Sequence, residues 1–169
     1  MRFLIVQPWI SYRGAETVSV KLCGALNKLG HPSKIACLFL DEGRLPEGSR
    51  RVEFILPSRF WQILFRKFKL ALFILGTPVL FILVLKNVKN FDVLNPHNPP
   101  SLWVCVVSAR LFGKKVVWSV HNLFDWRFLN GLDEFLVRKT NAIVTPTKML
   151  AKEVKSRYGL KAKVIYNAI

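Results

Sequence analysis

Acidic residues are scarce in this 169-residue chain: 10 Asp and Glu stand against 26 Lys and Arg, for a formal charge of +16. From Phe54 to Phe91 there are none, while Arg59, Arg66, Lys67, Lys69, Lys86 and Lys89 lie in the same stretch. Cysteine is also sparse. Cys23, Cys37 and Cys105 form no CxxC pair, which argues against a disulfide framework or thiolate metal site; they read as buried apolar thiols in a reducing compartment. Histidines, cysteines and carboxylates do not cluster at ligand spacing, so no metal is expected. The chain also lacks a GxGxxG fingerprint, a Ser–His–Asp or Cys–His arrangement, and a carboxylate pair at helical spacing. The N-terminus does not resemble a signal peptide, because Arg13, Gly14 and Glu16 follow a short apolar run.

What is present is apolar and basic. Mean hydropathy is +0.28 and 51% of residues are hydrophobic, high for a soluble domain. The length suits one domain with a real core. Basic residues mixed with apolar ones favour an anionic membrane surface over nucleic acid, for which no recognition module is found.

Strands alternate with helices along the chain. Strands are expected at Arg2–Gln7, Lys34–Leu40, Arg51–Leu56, Asp92–Asn95, Lys115–Val120, Ala142–Thr145 and Lys163–Tyr166. Helices are expected at Ala15–Leu29, where Val18, Leu22, Ala25, Leu26 and Leu29 keep helical spacing, then over 58–89, Ser101–Phe112, Asp133–Lys139 and Lys148–Tyr158. This alternation predicts an α/β fold, a Rossmann-like doubly wound parallel sheet.

Leu70–Leu85 carries no charge, yet as a helix it spans about 24 Å, less than the roughly 30 Å of a bilayer core. Gly76 and Pro78 are expected to break it. The region 58–89 is read as a kinked helix or helical pair in the membrane interface. Trp61, Phe65, Arg66, Lys67, Phe68, Lys69 and Phe73 are its expected contacts; packing of one face on the sheet is compatible with this.

Loops that follow parallel strands share one edge of such a sheet, where ligands bind. Three carry candidate chemistry. Arg13-Gly14-Ala15-Glu16 precedes a helix whose free N–H groups suit a diphosphate. His97 follows one strand within Asn95-Pro96-His97-Asn98-Pro99-Pro100, and His121, with Asn122, follows another. The histidines read as hydrogen-bonding groups for sugar hydroxyls or as acid–base groups. Asp125 reads as a base or a loop cap, and Thr147 as a helix N-cap.

In order, these motifs resemble the N-terminal half of a family 4 glycosyltransferase of the GT-B fold. Pro8–Glu16 resembles the family's opening loop, with Arg13 at its first glycine. Phe91–Pro100 resembles its Asp-Val-x-His-x-His-Asn segment, with Asn95 at the first histidine. Val117–Asn122, Asn141–Thr147 and Val164–Ala168 resemble later segments. The resemblance implies a retaining transferase using a nucleotide-diphosphate sugar and no other cofactor, peripheral on the cytoplasmic face of a membrane, with this domain on the acceptor side. It implies that His121 faces the donor sugar and residues 13–16 the diphosphate. His97 and Asn98 line the cleft, and Asn122, Asp125 and Thr147 complete the candidate cleft set. The family's two glutamates eight residues apart have no counterpart, so a missing donor domain, or a separate C-terminal donor-binding subunit, is expected. The isolated chain is expected to turn over negligibly. A non-catalytic membrane-docking subunit and an unrelated Rossmann-like nucleotide binder remain alternatives.

Overall fold

The computed structural model describes residues 1–12, 14–123 and 130–167, without the side chains of residues 42, 69–74 and 130. Arg13 and Asp125 lie outside the described residues, as do the side chains of Lys69 and Phe73.

Short runs of Val, Ile and Leu form the strands: β1 (Phe3–Val6), β3 (Ser33–Ala36), β5 (Phe54–Ile55), β6 (Val93–Pro96), β7 (Lys115–Ser119), β8 (Ala142–Thr145) and β9 (Lys163–Val164). They pair in parallel in the order β5-β3-β1-β6-β7-β8-β9. The order reverses between β1 and β6, so a crevice opens at their C-terminal ends. A separate two-stranded ladder joins β2 (Trp9–Ile10) to β4 (Phe39–Leu40).

Helix α1 (Gly14–Lys28) packs on one face of the sheet through Val20 and Cys23, against Ile5 and Ile35. The other face carries Leu4, Val6, Leu94, Val116, Trp118 and Ile143. Covering it are α2 (Arg59–Lys67), α3 (Lys69–Asn87), α4 (Pro99–Phe112), α5 (Asn130–Val137) and α6 (Lys148–Tyr158). Helix α4 starts with a capping box. Asn98 Oδ1 accepts from the Ser101 amide at 3.0 Å, and Ser101 Oγ accepts from the Asn98 amide at 3.2 Å. All three cysteines are free and buried, and burial pushes the Cys23 thiol up to about 12.

Several expected boundaries move. The single strand expected over Lys34–Leu40 is two, because the chain leaves the main sheet at Cys37; the Leu38 amide then donates to the Pro8 carbonyl and starts the outer ladder. The strand expected from Arg51 begins at Phe54, since Ser49–Arg51 is a 3-10 turn entered through Gly48 at φ 85°. The last strand ends at Val164 rather than Tyr166, and α5 starts at Asn130 rather than Asp133.

The break in the apolar region falls at Phe68, in extended conformation, and not at Gly76 or Pro78. Proline removes one helical hydrogen bond. Here the next turn is held by packing, with Val79, Leu80, Leu83 and Val84 buried on the sheet while Pro78 faces outward. The same packing corrects the expected membrane contacts. Phe65 is 1% exposed and belongs to the core, and Trp61 lies against it with ring centroids 5.6 Å apart. On α2 the outward apolar residues are Phe60 and Ile63, at 66% and 48% exposure. Phe68, Arg66 and Lys67 are exposed. Among the described residues no helix is long and apolar enough to cross a membrane.

Candidate functional site

The C-terminal ends of β1, β6 and β7 bring three of the expected loops to one edge. Gly14 opens α1 after β1 and is exposed; a Cβ built there meets nothing within 4 Å, so packing inside the chain does not demand glycine. Ala15 is half-buried, but Glu16 turns into the protein and is buried.

His97 follows β6 and His121 follows β7, and the structure joins them directly. His121 Nε2 lies 3.1 Å from His97 Nδ1. The ring planes are 25° apart with centroids 5.0 Å apart. A centroid separation so much longer than the nitrogen–nitrogen distance means that the rings meet edge to edge. His121 is half-buried and lines the groove described below, whereas His97 is 2% exposed. The expectation that His97 lines the cleft is therefore corrected: it lies beneath His121, enclosed by α1 and β6.

Its surroundings are polar. Ser19 Oγ on α1 is 2.9 Å from His97 Nδ1 and 3.0 Å from the Ala15 carbonyl. Asn95 Oδ1 is 2.9 Å from His97 Nε2. The Asn95 amide nitrogen donates to the Val117 carbonyl and, at 3.0 Å, to Ser119 Oγ. Burial lowers the pKa of both histidines, and the mutual repulsion of two imidazolium charges lowers that of His97 further. At neutral pH both rings are neutral.

A groove of about 410 Å³ begins at this edge and runs down the sheet face beside α1. Its wall is apolar, with Val18 and Leu22 of α1 opposite Val117, Val144 and Ile165; His121, Asn95 and Ser119 form its polar end. Asn98 and Thr147 spend their side chains on caps: Thr147 Oγ1 accepts from the Leu150 amide at 3.1 Å. Asn122 is exposed. Of the expected cleft residues in the described chain, only His121 lines this groove.

Sequence reasoning missed Ser19, Ser119 and the bonding role of Asn95. One signal was available. Glu16, Ser19, Val20 and Cys23 form the buried stripe of α1, so Ser19 is a polar residue at a core position. Among the described residues no group of His, Cys, Asp and Glu could hold a metal ion.

Comparison with solved structures places the fold. HepE from Anabaena, in complex with UDP-glucose, superimposes with a TM-score of 0.71 at 14% identity, covering 100% of this chain and 44% of HepE. A glycosyltransferase from Rickettsia africae gives 0.66 at 14% identity, over 99% of this chain and 43% of that one. The lipopolysaccharide outer core galactosyltransferase WaaB gives 0.65 at 13%, over 100% and 46%. The chain thus spans less than half the length of these proteins and corresponds to one half of a GT-B fold. Compared with curated protein sequences, it shows no significant match. The model of Glycosyltransferase Family 4 matches residues 12–169, and the chain belongs to that family.

Proposed function

We propose that this chain is the acceptor-binding half of a retaining nucleotide-sugar transferase working on the cytoplasmic face of an anionic membrane. The observation that carries the reading is the position of His121. It stands at the switch-point edge of a family 4 domain, half-exposed, at the polar end of a groove. A neutral imidazole there can hydrogen-bond a sugar hydroxyl as the glycosidic bond breaks. The N-terminus of α1 lies at the same edge, and its free N–H groups and partial positive charge suit a diphosphate held by residues 13–16. HepE, which shares the fold, was solved with UDP-glucose, and this supports a nucleotide-diphosphate sugar as donor.

The membrane part of the reading rests on α2 and α3. Phe60, Ile63 and Phe68 project outward beside Arg66 and Lys67, and Leu75 and Ile82 extend the apolar surface along α3. A helix with such a surface gains affinity from apolar burial and from anionic headgroups together. A lipid-linked or glycan acceptor would then be met at the surface where the domain docks.

The test is sugar transfer from a panel of nucleotide sugars into membrane lipid extract, by this chain alone and paired with a donor-binding half. Transfer by the pair alone supports the reading. If neither transfers but the chain binds vesicles, the non-catalytic docking role replaces it.

A further inference from the structure

The hydrogen-bond chain behind His121 has a direction, and its far end sets it. A backbone carbonyl only accepts, so the group facing the Val117 carbonyl must be the Asn95 amide nitrogen. The β6–β7 pairing ends at Leu94–Val116, and Pro96, two residues further along β6, has no N–H to give. The Asn95 side chain supplies a donor where the backbone has none.

With its nitrogen committed to Val117 and Ser119, Asn95 turns Oδ1 toward His97. His97 must then carry its proton on Nε2, which leaves a lone pair on Nδ1. Two groups reach that lone pair, Ser19 Oγ and His121 Nε2. The Ser19 proton has another acceptor in the Ala15 carbonyl, at 3.0 Å. His121 Nε2 has no other partner among the described residues, and two facing lone pairs would repel.

We propose that Asn95 and His97 are positioning residues that hold His121 as its Nε2–H tautomer, leaving its Nδ1 lone pair as the ring atom that accepts a hydrogen bond from a ligand hydroxyl. His121 then accepts from the sugar rather than donating to it. A hydroxyl so bound is oriented with its own oxygen lone pairs free for other donors. A ligand lacking that proton, such as one with an ether or fluorine in place of the hydroxyl, leaves Nδ1 unpartnered. The identity of the ligand rests on the transferase reading, whereas the tautomer does not.

The tautomer is read by long-range proton–nitrogen NMR on the wild-type chain with nitrogen-15 in its histidines, at neutral pH. The expected result is a bare Nδ1 and protonated Nε2 on both His97 and His121, with a His121 Nε2 proton protected from exchange with water. His97→Phe keeps a flat ring but removes the acceptor, and should abolish that protected resonance while the amide spectrum stays folded. Should that variant not fold, Asn95→Leu releases the His97 tautomer and should broaden the same resonance. An Nδ1–H His121 in the wild type overturns the proposal, as does a His121 Nε2 proton that stays protected in the folded His97→Phe chain. In the paired enzyme, His97→Phe should cost activity in the wild type and nothing further in a His121→Ala background. An inactive pair with an Nε2–H His121 removes the functional reading and leaves the tautomer assignment standing.

Discussion

Trp61 lies on Phe65 with ring planes 25° apart, and Phe65 in turn joins the core beneath α2. These aromatics anchor the helix to the domain. Its neighbours Phe60 and Ile63 are left outside with the basic residues.

Phe65→Ala should therefore act on folding. Removing a fully buried Phe costs about 3–5 kcal/mol. Urea denaturation checks this, and a change under about 1 kcal/mol would mean that α2 is not held through this ring.

Arg66→Glu with Lys67→Glu should act on membrane binding instead. Each basic residue near an anionic surface is worth about 1 kcal/mol, so reversing two should weaken binding at least tenfold. Phe60→Ser with Ile63→Ser should weaken it through lost apolar burial. Cosedimentation with vesicles rich in acidic phospholipid measures both. Unchanged binding in both variants contradicts the interfacial reading.

His97 makes stability depend on pH in a stated direction. Its folded pKa is held well below 6.5, so below about pH 6.5 the unfolded chain takes up a proton that the folded chain refuses. Stability from this group is present above that pH and is lost as pH falls. His97→Gln should flatten the dependence between pH 7.5 and pH 5, seen by urea denaturation. An equally steep loss in the variant would assign the dependence to other groups.

Asn98→Ala should cost about 1 kcal/mol of stability through the lost cap of α4, and Thr147→Ala a similar amount at α6. Neither side chain lines the groove by His121, so transfer corrected for folded fraction should stay near wild type.

Sheet class and strand sequence were legible because apolar runs and turn residues alternate clearly. The edge that gathers Gly14, His97 and His121 followed from that alternation, since parallel strands put their exits on one side. What stayed hidden depends on partners distant in sequence. Nothing local to His97 says that Ser19 and His121 enclose it. The same holds for Asn95, whose amide nitrogen donates to the Val117 carbonyl beside Pro96, a residue with no N–H to offer β7. Local rules also misplaced the break in the apolar region. They weighed Pro78 by its own cost, whereas burial of Val79, Leu80, Leu83 and Val84 decided the outcome. Phe65 and Phe60 are chemically alike, and only the phase of α2 against the sheet separates core from surface.

The most direct test is transfer from nucleotide sugars into lipid extract by the paired enzyme, with wild type and His121→Ala run side by side. Wild-type transfer with a loss of about 100-fold or more in a folded His121→Ala variant is the predicted result. Equal transfer by both would contradict the assignment of His121 to the reacting sugar.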